Sequence, residues 1–407
     1  MDAEIKNSGK QLLNKVPQVT LFFWIIKVLC TTVGETFADF INVNLNFGLT
    51  GTSIIMGILL VIALFFQFKT KKYIPFVYWI SVVFISVFGT LVTDNLTDKM
   101  GIHLETSTII FSILLLLTFC LWYTKEKTLS IHSIFTKRRE AFYWLTILFT
   151  FALGTASGDL MAEGLGLGYL KTGIIVAAII VIFSVAQKLK LNSVLSFWII
   201  YIMTRPLGAS IGDYLSQPAK FGGLGWGATL TSIIFLLGIL AIILYFTFTK
   251  RDVIANTVSK EKQTNENKGL VVQSLITVVL FVIVGLSAYF LRQDQLQNET
   301  AQPAISNGSP NNTLPVTGLG DLSEFKKITK DTKDLVISNN IEGAKTRIAD
   351  LEHEWDIAQA KLKAMNSKKW IEVDDAIDKV LRQLRGIDPV QKDCQSALDA
   401  LLKVLNQ

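Results

Sequence analysis

Carboxylates recur at one fixed spacing in the first 250 residues. Asp39, Asp94, Asp159 and Asp213 each stand five positions after a glycine, and each glycine stands ten after a tryptophan: Trp24–Gly34–Asp39, Trp79–Gly89–Asp94, Trp144–Gly154–Asp159 and Trp198–Gly208–Asp213. Repeat 1 adds Glu35 beside its glycine. Repeats 2 and 3 add Asp98 and Glu163 four residues after the aspartate, on the same helical face. Ionisable groups inside apolar spans are expensive and usually face a bundle interior or a water-filled cavity. Four related aspartates with Glu35 and Glu163 would make an oxygen-ligand cluster for a hard cation, or a proton-coupled site. A helix-end residue hydrogen-bonding locally is the plainer reading of the aspartates, and Glu35, a full turn deeper, is the better functional candidate. Arg205, followed by Pro206, is the one cation deep in an odd-numbered span and is placed to pair with Glu35 or an aspartate.

The elements that must hold these residues follow from the same pattern. Four matches at identical internal spacing are the mark of tandem repeats. Each copy lies in an apolar helix-length stretch and is followed by a second one, which predicts eight spans as four two-helix repeats at about 19–72, 74–128, 140–190 and 194–250. Each repeat has an even number of spans, so all four copies share one orientation and are related by axes along the membrane normal. The residue four after each motif glycine is also small (Ala38, Thr93, Gly158, Gly212). Gly34, Gly89, Gly154, Gly158, Gly208 and Gly212 are therefore helix-packing positions, because small residues four apart let backbones approach. The odd spans become the inner helices, and the uncharged even spans face lipid. Trp24, Trp79, Trp144 and Trp198 are expected as interface anchors, where an amphipathic ring is favoured. Lys27 is expected to snorkel to the same interface. Each aspartate lies 15 residues beyond its tryptophan, about 22 Å along a helix, in a hydrocarbon core about 30 Å thick. The acids therefore sit at the opposite end from the tryptophans.

Composition narrows the class. Half the residues are hydrophobic and 18% are charged, against about a quarter charged in soluble chains. Lipid forces a spanning backbone to satisfy itself, and with no period-2 alternation the spans are helices rather than a barrel. The formal charge of +6 does not point to nucleic acid, because the excess lies in short loops. Loops after spans 2, 4, 6 and 8 carry Lys69, Lys71 and Lys72, then Lys125, Lys127, Lys137, Arg138 and Arg139, then Lys188 and Lys190, then Lys250 and Arg251. The positive-inside rule places these loops and the N-terminus in the cytoplasm of a bacterial inner membrane. The first 16 residues carry charges of both signs and no cleavage site, so a removable signal peptide is not expected. Cys30, Cys120 and Cys394 have no metal-type or redox-type spacing, and His103, His132 and His353 have no partner at ligand spacing. No nucleophile–base constellation is visible, so no enzyme and no cofactor are expected.

Beyond residue 250 the character changes. Residues 251–268 are polar and read as a cytoplasmic linker, 269–291 as a ninth span, and 292–319 as a flexible tether rich in Asn, Gln, Pro and Ser. Apolar residues then fall at Ile348, Leu351, Trp355, Ala358, Leu362 and Met365, and again at Trp370, Val373, Ile377, Val380 and Leu384, a seam period near 3.5. Asn366 and Ser367 separate the two series. With one helix before and one after, residues 320–407 are expected to form an extracytoplasmic four-helix bundle. Its charges nearly balance, 15 Lys/Arg against 16 Asp/Glu from Asp321 onward, and Asp374, Asp375 and Asp378 read as a solvated helix face.

The four Trp–Gly–Asp sets, with stretches such as TTVGETFAD and GTASGDLMAEGLGLGYLKTG, resemble a bacterial integral-membrane family of four tandem two-helix repeats with a characteristic tryptophan. The resemblance covers about residues 19–250 and implies topology, not chemistry. Repeat 4 departs from it, with Pro206 and Ala209 where repeat 1 has Thr32 and Glu35. Two functions are carried forward. One is a transporter or channel-like protein for a small cation, using the acids of the odd spans in a lipid bilayer. The other is a membrane-anchored sensor or scaffold whose outer bundle binds a protein partner.

Overall fold

Each inner helix begins at a start signal written in the sequence. Thr20 caps α1 (Leu21–Asp39) by accepting from the Phe23 N–H at 3.4 Å. Pro75 opens α3 (Pro75–Asp94), at a position where a missing N–H costs nothing. Thr136 caps α5 (Lys137–Asp159), accepting from the Arg139 N–H. Asn192 caps α7 (Ser193–Ser216), accepting from the N–H groups of Val194 and Leu195. Between them run α2 (Gly48–Lys69), α4 (Leu104–Glu126), α6 (Gly168–Lys188) and α8 (Gly227–Thr249), followed by α9 (Leu270–Ala301), α10 (Ser323–Ile337), α11 (Ile341–Arg385) and α12 (Gln391–Leu405). The computed structural model describes residues 14–45, 47–221, 223–253, 269–301, 318–386 and 388–407. Among these the chain is all-α, and nine helices are long and apolar enough to cross a membrane.

The inner helices close a ring in which α1 packs on α3, α3 on α5, α5 on α7 and α7 on α1. The motif glycines set its register. A Cβ on Gly34 would overlap the Ser86 hydroxyl, one on Gly89 would lie 2.8 Å from Phe151 Cβ, one on Gly154 2.5 Å from Arg205 Cβ, and one on Gly208 would overlap the Thr31 hydroxyl. Thr31, Ser86, Phe151 and Arg205 each stand three residues before the glycine of their own repeat. Every inner helix therefore meets the next at the same height, and equivalent residues of the four repeats lie in common layers.

The outer helices are displaced by one repeat. α2 leans on α3, α4 on α5, α6 on α7, and α8 returns to α1. Each repeat thus covers the inner helix of its successor, and the last covers the first. The inner spans are 56, 67, 56 and 67% buried and the outer spans 22, 28, 11 and 28%, so the odd spans do form the interior. Ile54, Ile58, Val61, Ile62, Phe65 and Phe66 of α2 stand exposed, an apolar surface that suits lipid chains. The ninth span lies outside the ring, with Phe281 stacked on Phe183 of α6 and the Gln273 side-chain carbonyl accepting from the Asn192 N–H. Its helix continues to Ala301, ten residues beyond the Leu291 expected as its end. The rest of the expected tether, 302–317, and residues 254–268 of the expected linker lie outside the described residues.

α10 to α12 bury a separate core around Trp355 and Trp370, whose rings stack at 6.0 Å, with Phe325 edge-on to Trp355. α11 is broken at Asn366 (φ −159°, ψ 90°), so it supplies two arms of a four-helix arrangement.

Candidate functional site

Three of the inner helices end in the same uncommon way. Immediately after Asp39, Asp94 and Asp159 the backbone passes into five-residue π-helical turns, Phe40–Asn44, Asn95–Lys99 and Leu160–Gly164. The closing bonds reach back five residues, from Leu45 N–H to Phe40 O (3.1 Å), Met100 N–H to Asn95 O (3.0 Å) and Leu165 N–H to Leu160 O (2.8 Å). π-turns are rare and concentrate at functional sites. Repeat 4 lacks one: α7 runs on to Ser216, with Pro218 two residues beyond it.

These helix ends surround one acid-lined chamber. Carboxylate oxygens of Glu35, Asp39 and Asp213 lie within 4.8 Å of one another. Asp94 is within electrostatic reach of Glu35, Asp98, Asp159 and Asp39, and Asp159 of Glu163, Glu35, Arg205 and Asp213. All seven carboxylates from the ring, Asp98 included, keep part of their surface accessible although helices enclose them. The inner helices also point their C-terminal, partially negative ends toward this chamber, which adds to its negative field. Gly158 and Gly212, one turn beyond the motif glycines, approach Pro206 and Thr36 of the neighbouring inner helix.

One layer deeper, Arg205 crosses the ring. Only 1% exposed, it donates through Nη2 to Glu35 Oε2 at 2.5 Å and to the hydroxyl of Thr90 on the diagonally opposite α3. Its Nε and Nη1 have no hydrogen-bond partner. A buried cation half-satisfied in this way costs free energy unless its carboxylate partner stays in place. Thr90 occupies in repeat 2 the position of Glu35 in repeat 1, a correspondence the repeat spacing alone could have flagged.

Deeper again, Lys27 departs from its expected snorkelling. It is 1% exposed, with Nζ 3.7 Å from the Phe151 ring centroid and 4.2 Å from that of Tyr201, and no hydrogen-bond acceptor. Cation–π contact replaces part of the lost hydration. Three of the four tryptophans expected as interface anchors are instead packed inside the protein. Trp79, Trp144 and Trp198 are buried in an aromatic plug with Phe23, Tyr78, Tyr143 and Phe197, and only Trp24 is half-buried. Tyr78 and Tyr143 share a hydroxyl hydrogen bond of 2.5 Å between the neighbouring helices α3 and α5. Trp79 donates to Tyr73, and Trp198 to the Leu129 carbonyl. Beyond this plug the Lys15 ammonium is paired with Glu140 at 2.5 Å, and Tyr73 donates to Asp252.

The opposite, acidic end is covered by the bundle. α11 packs on all three π-turns. Lys363, 4% exposed, donates from Nζ to the Thr97 carbonyl at 2.8 Å and lies over the Trp370 ring. Ser367 donates to the Gly101 carbonyl at 3.0 Å, and Asn44 to the Arg385 carbonyl at 3.3 Å. The fourth repeat is engaged through a Lys220–Asp350 ion pair and a Phe221–His353 stack at 3.8 Å. The expected solvated face of α11 is therefore corrected. Asp375 is exposed and Asp374 and Asp378 are half-buried, and all three line, with Asp98, Lys99, Arg382 and residues 47–51, a cavity of about 130 Å³. Burial, reinforced by Glu163, Glu352, Asp374 and Asp98, pushes Asp356 well above the usual carboxylate range. Burial, with Asp98 and Asp378 adjacent, does the same to Asp374. Burial also lowers Lys363, against the pull of Asp98, Asp374 and Glu163. Sequence reasoning missed Asp356, Asp374, Asp378 and Lys363 as chamber residues, because an acidic helix face and a seam-flanking lysine look the same in water.

Fold and site together define a polytopic membrane protein built as a closed ring of four two-helix repeats around an acid-lined chamber. The chain belongs to the family described as Repeat of Unknown Function (DUF347), which matches residues 22–73, 77–128, 142–190 and 196–252, one copy per repeat. No curated protein and no solved structure matches the chain.

Proposed function

We propose that the chain is a membrane transporter or channel-like protein for a small cation, a metal ion or one coupled to protons. The observation that carries this reading is the charge of the chamber. The ring brings seven carboxylates to it (Glu35, Asp39, Asp94, Asp98, Asp159, Glu163, Asp213) and sets one arginine across its floor. Carboxylates held together in low dielectric need compensating cations or protons. Glu35, Asp39 and Asp213 have the spacing and the hard oxygen donors that such ions take. Arg205 and Lys27 form an electrostatic barrier below them, as positive groups do in selective pores. Passage therefore requires α7 to move. Pro206, which lacks an N–H for its helix, leaves α7 one backbone hydrogen bond short beside Arg205. The lysine- and arginine-rich loops all lie at the aromatic end, which supports a cytoplasmic N-terminus and an extracytoplasmic bundle in the inner membrane. The reading assigns no catalytic role.

Flux measured in liposomes containing the purified protein tests it. Cation uptake should be lost in the Glu35→Gln/Asp213→Asn double variant, and uptake equal to that of the unaltered protein would sink the reading. The bundle's seat on the chamber favours one second reading, a membrane-anchored sensor that signals to a protein partner. Removing residues 302–407 separates the two: a transporter keeps its flux, whereas a sensor loses all response.

A further inference from the structure

The bundle does more than sit near the chamber; it puts a cation into its mouth. Lys363 is the most buried cation of the bundle that reaches the ring; Arg385, which also lies in reach of Asp39, is already paired with Glu352. The Lys363 ammonium is held by a carbonyl of the α3 π-turn and an aromatic face, with Asp98 and Glu163 of the ring and Asp374 of its own arm in electrostatic reach. A long flexible ammonium is a good stand-in for a metal ion among oxygens, since its charge is compact and its donors rotate freely. The bundle also carries Asp356 into reach of Asp98 and Glu163, and Asp374 and Asp378 into reach of Asp98. Contact between two acidic faces is held together by whatever positive charge lies between them. Lys363 lies in electrostatic reach of carboxylates on both faces.

We infer that the bundle is a tethered autoinhibitory plug, in which Lys363 fills the chamber mouth as a built-in cation and free cations load the ring only as the bundle lifts away. This regulation rests on the cation-site reading above. Lys363 lies in reach of Asp98 and Glu163 at the mouth while the ion takes Glu35, Asp39 and Asp213, so bundle and ion oppose each other through the shared field of the chamber, and each weakens the other by the same factor. The contact is close enough to release as a unit. A Cβ on Gly101 would lie 2.8 Å from Ser367 Oγ and overlap Ile371, so the mouth and α11 touch backbone to side chain.

The test uses the full chain with Cys120→Ser and two fluorophores, one on Leu224→Cys of the ring's loop and one on Glu354→Cys of the bundle, both exposed positions. Ser367→Trp, a wedge at the contact, supplies the signal of a displaced bundle. Without added ions the unaltered Lys363 protein should give the short distance, Lys363→Met the displaced one, and Lys363→Arg the short one again. A short distance in Lys363→Met overturns the plug whether or not any ion binds. Calcium chloride should drive the Lys363 protein toward the displaced distance. Its dissociation constant should fall about fivefold or more in Lys363→Met. Calcium that binds, by thermal shift, while the distance stays fixed or shortens also overturns the plug and leaves the cation-site reading standing. Absence of any thermal shift with calcium, magnesium or sodium counts against the cation site alone, since the Lys363 series still decides the plug.

Discussion

The two ends of the ring are made by the same four helices in the same register, yet their chemistry is opposite. At the acidic end, Glu35 and the four aspartates line accessible space beneath a cover supplied by another part of the chain. At the aromatic end, Phe23, Tyr78, Tyr143 and Phe197 are buried in one core cluster, with Lys27 buried above them. Glycine contacts repeat around the ring and impose backbone symmetry. Side-chain identity then polarises the axis. The repeat therefore builds the scaffold and its ring of aspartates, and departures from the repeat, Glu35, Arg205 and Lys27, break the symmetry of that site. Function is to be sought where the four copies differ.

Breaking the link between the two ends should have the largest effect. Arg205→Met leaves Glu35 without its buried partner, and loss of one member of a buried pair costs about 3–5 kcal/mol. The melting temperature in detergent should fall strongly, and Arg205→Met/Glu35→Met should recover much of the loss. A next perturbation strikes the scaffold both ends share. A Cβ on Gly208 would meet the Thr32 backbone nitrogen at 2.9 Å, so Gly208→Ala should destabilise by about 1–3 kcal/mol, the usual cost of overpacking. Denaturation monitored by tryptophan fluorescence reads this directly, since Trp24, Trp79, Trp144 and Trp198 lie on the ring helices. Gly285→Ala in α9, where a Cβ meets nothing, should be neutral.

A pH series sharpens the comparison at the acidic cover. Asp356 and Asp374 are raised in the docked structure, so the docked state holds protons that a released bundle gives up. Docking is then firmest in acid and weakens as pH rises from the ordinary carboxylate range through the raised values. Lys363 is lowered and has the opposite sign, strengthening docking as pH rises toward the usual lysine range. The bundle-to-ring distance should accordingly lengthen between acidic and neutral pH, and Asp374→Asn should flatten that dependence. The smallest expected effect is at the aromatic end. Tyr78→Phe removes one side of the Tyr78–Tyr143 hydrogen bond and should cost about 1 kcal/mol, visible as a modest fall in melting temperature without loss of cation response.

Much of the ring was legible because its signal is one of spacing. The complete Trp–Gly–Asp set falls only in alternate spans, which distinguishes inner from outer helices. The tryptophans misled because an apolar run with an indole looks the same whether the ring meets lipid headgroups or other aromatics. Trp79 and Trp144 are settled by neighbours from other repeats, which no local pattern encodes. Lys27 misled for the same reason, since a lysine near a span end ordinarily finds water. The π-turns leave no composition of their own in FINVN, NLTDK or LMAEG. Asp374 and Asp378 were invisible as chamber residues because the contact that buries them joins segments more than 250 residues apart in sequence, as in Lys363 to Thr97.

The central claim, that the acidic end binds a cation, is tested most directly by the thermal stability of the purified protein against sodium, magnesium, calcium and manganese chlorides at two pH values. A ligand that binds the folded state alone raises the melting temperature by mass action. The account predicts a selective rise with at least one ion, abolished in Glu35→Gln and in Asp213→Asn but retained in Tyr78→Phe. Equal melting temperatures across the panel, or a rise that survives both carboxylate substitutions, would contradict it.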